Sequence, residues 1–180
     1  MIQKYFIAII PPEPLYSDIN EIKQSISNKY LCYGALQSPP HITLHLPFNW
    51  QEENESKLIE CLQNFKFNIS FNVNASNFSC FKPRVVFINI KQDNLLSLFQ
   101  KNLIFHVKKS INIFNQYDDK RGFHPHITVA FRDLKRQKFD CIWEEYKDKI
   151  FDESFICNQM ILLKKEKLNW KIYKEFNFNL

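Results

Sequence analysis

The chain has 180 residues, 45% of them hydrophobic, which suits one domain with a substantial core and excludes a small disulfide-stapled module. Charges of both signs are mixed along it and the net charge is +5, which argues against global disorder and permits a polyanionic partner without demanding one. Only two glycines occur, Gly34 and Gly122, so the glycine-rich loops of Walker and Rossmann phosphate binders are excluded, and no G-x-S-x-G elbow is present.

The elements read in chain order as follows. KYFIAIIPP (4–12) is β-branched and aromatic and is stopped by proline, the pattern of a buried strand. Residues 15–30 space Leu15, Ile19, Ile22 and Ile26 by three and four, an amphipathic helix. HITLHLPF (41–48) is a strand, and 53–65 a helix carrying Leu58, Ile59 and Leu62. Phe65, Phe67, Ile69, Phe71 and Val73 alternate with polar residues in a half-buried strand, and 84–91 is another strand. Residues 93–114 form a long helix with Asp93 as N-cap. A strand at 124–132, a helix at 136–149 and two strands, 153–166 and 170–179, close the chain. This β-α-β-α-β, β-α-β-α-β-β order has two similar halves, which predicts an internal duplication about a pseudo-two-fold axis within a single domain.

Five cysteines, an odd number with no C-x-x-C, fit free thiols in a reducing cytoplasm better than disulfides or zinc. The apolar run near the N-terminus is cut short by two prolines, and no other segment approaches a membrane span. A cytoplasmic protein without a membrane partner is therefore expected, and a monomer. Lys164, Lys165, Lys167, Lys171 and Lys174 gather near the C-terminus, as on a solvated strand face.

The chemistry lies in a repeat. PPHITLHLPF (39–48) and FHPHITVAFR (123–132) both spell Pro-His-Ile-Thr, and Thr43 and Thr128 are the only threonines in the chain. Random placement would put both two residues after a histidine about once in a thousand sequences, so coincidence is a poor account. Along a strand, residues two apart share a face, so His41 sits with Thr43 and His126 with Thr128, while Ile42, Leu44, Ile127 and Val129 face the opposite, buried side. Two such strands would make a cleft of two imidazoles and two hydroxyls. One neutral imidazole can take a proton and one imidazolium can give one near neutrality, and hydroxyls can hold non-bridging phosphate oxygens. This set suits cleavage of a phosphodiester, with no metal and no other cofactor required.

The paired H-x-T motifs, their separation, the run RGFHPHITVAF and the strands KYFIAIIPP and KPRVVFINI resemble the 2H phosphoesterase superfamily, in particular the 2′-5′ RNA ligase-like (LigT-like) proteins. The resemblance spans nearly the whole chain. It implies an α+β fold of two lobes, with two antiparallel sheets facing a central cleft and helices outside. It also implies metal-independent action on 2′,3′-cyclic phosphates or 2′-5′ linkages of RNA or nucleotides. Carried onto this sequence, His41 and His126 are the acid–base pair and Thr43 and Thr128 hold the phosphate. The family's arginine after the second motif is displaced here, because Phe131 precedes Arg132; strict alternation still puts Arg132 on the face of His126 and puts His45 on the cleft face. Arg84, Phe123 and Arg121 border the expected cleft as possible substrate contacts, against plain packing and plain surface charge.

Other readings stay open. The protein could be a non-catalytic RNA- or nucleotide-binding module of the same fold. His124 and His126 form an H-x-H pair that could bind a metal in a metal-dependent hydrolase. His106, within the 93–114 helix, reads as structural. Nothing in the near-symmetric pair says which histidine is acid and which is base.

Overall fold

A computed structural model describes residues 1–115 and 122–178. Eight strands and four α-helices follow one another along it. They are β1 (Ile2–Ile9), α1 (Leu15–Tyr30), β2 (Ile42–Gln51), α2 (Glu55–Gln63), β3 (Phe71–Phe81), β4 (Val85–Ile90), α3 (Asn94–Ile111), β5 (His126–Phe131), α4 (Arg136–Tyr146), β6 (Asp152–Cys157), β7 (Gln159–Glu166) and β8 (Asn169–Asn177). A short 3-10 turn, Gly34–Gln37, leads into β2.

The helices form where periodicity predicts them. Leu15, Ile19 and Ile26 of α1 are buried on one stripe. Asp93 caps α3, its Oδ1 accepting from the backbone N–H groups of Leu95 at 2.7 Å and Leu96 at 3.3 Å. One apolar cluster joins the buried stripes of all four helices to one face of the strands, including Ile42, Leu44, Ile127 and Val129 as expected. A smaller cluster of Phe6, Ala8, Ile161 and Leu163 lies apart from it, with Trp170 packed against it.

The strands form one sheet in the order β6-β3-β4-β5-β2-β1-β7-β8. Every pairing is antiparallel. This corrects the expected pair of sheets: hydrogen bonding runs unbroken from edge to edge, though its middle link is thin, since β2 and β5 register only at Ile42↔Ile127. The sequential halves also fail to match the spatial ones. β3, read as the end of the first half, pairs with β4 and β6 beside the second motif. β7 and β8 return to flank β1, beside the first motif. What repeats is smaller: β1-α1-β2 and β4-α3-β5, each an antiparallel pair joined through a helix, each ending on a His-Ile-Thr strand.

The stretch read as one strand, 153–166, is two, β6 and β7, parted at Asn158 where the chain crosses from the β3 side of the sheet to the β1 side. Residues 65–70 lie outside the strand expected there, and Phe65 and Phe67 instead pack in the aromatic cluster around Phe99. The cysteines are free: Cys32, Cys61 and Cys157 are buried, Cys80 is half-buried and Cys141 is exposed. No helix among the described residues is long and apolar enough to cross a membrane.

Candidate active site

The middle of the sheet carries a cavity of about 350 Å³ on the face away from the helices. His41, Thr43, His126 and Thr128 all line it. The topology explains the convergence. The single backbone pairing of the two strands, Ile42↔Ile127, stands at the centre of both motifs, so the residues that flank it, His41 and Thr43 on one side and His126 and Thr128 on the other, meet at one joint. The two isoleucines, both fully buried, pin that joint from below.

The two histidines are held in the same way. Nδ1 of His41 bonds the Pro39 carbonyl at 2.7 Å, and Nδ1 of His126 bonds the His124 carbonyl at 2.7 Å. A carbonyl only accepts, so each Nδ1 carries the proton and each Nε2 is left for chemistry. The repeated proline between acceptor and histidine restricts the residue before it to extended backbone, a rigid approach to each strand. Around His41, Phe6 packs at 4.8 Å between ring centroids; around His126, Phe81 and Phe87 pack at 5.3 and 4.8 Å.

This apolar packing lowers both imidazole pKa values by desolvation. His41 goes down to about 4: burial dominates, and the nearby charges of Lys23 and His126 add to it, against the opposing bond to Pro39. At His126 burial again leads and the adjacent His124 adds to it, while the bond to the His124 carbonyl opposes. Lys23 adds to the asymmetry. It is 1% exposed, on α1, and its ammonium donates to the Ser38 carbonyl at 2.6 Å, one residue before the carbonyl that anchors His41.

Each motif strand carries a bulge at the same place. On β2 the register passes from Thr43 to His45 while β1 advances one residue, Ala8 to Ile7. On β5 it passes from Thr128 to Ala130 while β4 advances from Phe87 to Val86. The extra residue breaks the alternation of faces. His45 is consequently not on the cleft face: it is 1% exposed, its Nδ1 meets the Leu46 carbonyl at 2.9 Å, and its ring packs edge-on to Phe48. Burial lowers its pKa too. Backbone groups beside the first bulge find side-chain partners, Gln100 donating to the Leu44 carbonyl at 3.2 Å and Asn115 accepting from the Leu46 N–H at 2.7 Å.

Beyond the bulges, Leu46 and Pro47 of one strand and Phe131 and Arg132 of the other reach the cavity. Arg132 does so with a left-handed backbone, φ 76°, and its guanidinium donates to Gln37 Oε1 at 3.1 Å. The cleft position expected of it holds, though not by strand alternation. Arg84 and Phe123 do not line the cavity: Arg84 is exposed in the turn before β4, and Phe123 packs against the main core. Arg121 lies outside the described residues. His106 is structural, its Nε2 on the Cys61 carbonyl at 2.8 Å.

Several lining residues escaped the sequence reading: Phe6, Gln37, Ser38, Trp170 and, as a cleft residue, His124. Phe6 sits in a strand apolar on both faces, where alternation carries no signal. Gln37 and Ser38 come from a loop with no motif. It is fastened by Asp133, whose carboxylate accepts from the N–H groups of Tyr33 at 2.6 Å and Gly34 at 3.1 Å. Gly34 is required there, because a Cβ would stand 2.3 Å from the Phe131 carbonyl oxygen. Among the described residues, no group of three or more His, Cys, Asp or Glu side chains gathers as metal ligands around the His124–His126 pair or elsewhere.

Comparison with known proteins gives a consistent result. A protein of Oceanobacillus iheyensis named "Putative phosphoesterase OB1230" is 27% identical over 177 residues, 96% of each chain. A Geobacillus kaustophilus protein, "Putative phosphoesterase GK0864", is 25% identical over 181 residues, 96% of this chain and 95% of that one. The same fold occurs in E. coli LigT, crystallised with 3′-AMP, at a TM-score of 0.65 and 18% identity with full coverage of both chains. It occurs also in TT0787 of Thermus thermophilus, at a TM-score of 0.65, 16% identity and 98% coverage of both. The sequence pattern of the 2′-5′ RNA ligase superfamily matches residues 11–169, and the chain belongs to that superfamily.

Proposed function

We propose that this protein is an enzyme, a phosphoesterase that opens 2′,3′-cyclic phosphates or makes and breaks 2′-5′ phosphodiester bonds in RNA or nucleotides, using two histidines and no metal. One observation carries the reading: two imidazoles anchored alike through Nδ1 line one cavity together with both threonines. In hydrolysis of a cyclic phosphate, Nε2 of neutral His41 takes a proton from water as the water oxygen bonds phosphorus. The bond from phosphorus to the 2′ or 3′ oxygen breaks, and Nε2 of protonated His126 gives that oxygen its proton. Thr43 and Thr128 donate to the non-bridging oxygens as their charge grows. His41 is the base because deeper desolvation, with the charge of Lys23 added, favours its neutral form. Arg132 adds a positive charge at the cleft wall. The nucleotide bound in the E. coli LigT crystal supports the substrate class.

The test is turnover of a 2′,3′-cyclic nucleotide in EDTA. Activity should survive chelation, and His41→Ala or His126→Ala should each cut kcat by ~100-fold or more. Full activity in either variant overturns the two-histidine scheme. Tight binding of a cyclic nucleotide with no product would instead mark a binding module.

A further inference from the structure

A second hollow of about 510 Å³ adjoins the catalytic cleft, sharing Gln37, Ser38 and Trp170 with it as a common wall. It lies between α1 and the β7–β8 hairpin. Its chemistry differs from that of the cleft. Tyr16 and Trp170 offer aromatic surface, Asn20 and Asn169 offer amides, and Lys171 offers a positive charge. Among the described residues no carboxylate lines it.

Trp170 is braced rather than loose. It meets Phe6 edge-on at 4.6 Å, and the Lys165 ammonium lies 5.1 Å from the centre of its ring. Arg132 lines the cleft and Lys171 the hollow, so a positive charge stands on either side of their shared wall. A stacking platform, base-reading amides and a cationic rim are what a single-stranded nucleic acid requires.

We infer that this hollow is a subsite for the nucleotide joined through its phosphate to the one in the catalytic cleft, so that the substrate is the end of a single-stranded oligoribonucleotide rather than a free mononucleotide. The inference rests on the phosphoesterase reading of the cleft. The terminal nucleoside cyclic phosphate occupies the cleft, its 5′ phosphate passes the Ser38–Trp170 wall, and the penultimate base lies among Tyr16, Asn20 and Asn169.

The experiment compares kcat/KM for a 2′,3′-cyclic mononucleotide and for a trinucleotide ending in a 2′,3′-cyclic phosphate. The trinucleotide should be preferred by about tenfold, the worth of one stacked base. Tyr16→Ala and Lys171→Ala should each remove most of that preference and leave mononucleotide turnover unchanged. Equal rates on the two substrates, or variants that lose both equally, overturn the subsite. If neither substrate is turned over, the catalytic reading fails on its own. The subsite is then read from binding of a 3′-phosphorylated trinucleotide against a 3′-mononucleotide, where equal affinities overturn it.

Discussion

At the scale of single residues, the site is a symmetric pair made unequal by deeper burial of His41, with the charge of Lys23 adding to it. A proton leaves His41 more readily than His126, so the form with His41 neutral and His126 charged dominates between their titrations. The free enzyme's kcat/KM should therefore trace a bell with its acid limb near 4 and its alkaline limb below 6.5, while bound phosphate should move the kcat bell to higher pH. An optimum at or above pH 8 for kcat/KM would contradict this. Lys23 gives a sharper test. Burial lowers its pKa to about 8 from an ordinary 10.5, which costs the fold on the order of 3 kcal/mol while the lysine is charged in both states. That cost is complete below pH 8 and fades as pH rises towards 10.5. Lys23→Met should thus stabilise the protein at pH 7, by about 2 kcal/mol after the Ser38 carbonyl loses its donor, and far less at pH 10. Denaturant melts at the two pH values measure it. The same variant should shift the acid limb of kcat/KM upward, since a positive charge beside His41 is gone; an unmoved limb would reduce Lys23 to a structural role.

At the scale of elements, the motif strands illustrate what was legible and what was not. Helices α1 and α3 stood out because their apolar spacing and the Asp93 cap are local properties of the chain. The faces of His41, Thr43, His126 and Thr128 were legible for the same reason, since period-two alternation holds up to each threonine. It fails just beyond, because a bulge depends on the register with a distant strand, and nothing in HITLHL or HITVAF marks it. His45 was misplaced for that reason, and the division at Asn158 was missed because no glycine or proline punctuates it. The cleft wall at 34–38 was equally silent, since its position depends on Asp133, 99 residues away from Gly34. That contact predicts a strong effect from a small change. Gly34→Ala would press a methyl group against the Phe131 carbonyl and the Arg132 side chain. It should lower stability by ~1–3 kcal/mol and reduce activity further than the stability loss explains, because Gln37 and Ser38 shift with the loop. A thermal melt alongside kcat/KM at a temperature where both proteins are folded checks it; unchanged kinetics would detach the loop from the site.

At the scale of the whole molecule, the site exists only because late strands return to close the sheet around the early ones. β1 and β2 come from the N-terminal part, yet the other edge of β1 is closed by β7, which arrives after nearly the whole chain has been made. Between the motif strands the sheet offers a single backbone register, Ile42↔Ile127, so burial beneath that joint does most of the holding. A fragment of residues 1–64 would leave β1 with an open edge and expose Ile42, whose sheet neighbour Ile127 lies in the remainder, and Leu44, which is buried in the same core as Val129. Such a fragment should be largely unfolded by circular dichroism, as a two-stranded ribbon with two helices buries too little. The complementary fragment 65–180 lacks the first motif and should show no turnover. Mixed together, the two should recover native circular dichroism and a measurable part of the activity, because every contact they need is intermolecular but unchanged. A folded 1–64 fragment, or a mixture that folds without activity, would mean that the thin joint at Ile42 and Ile127 does not bring the two histidines into one site.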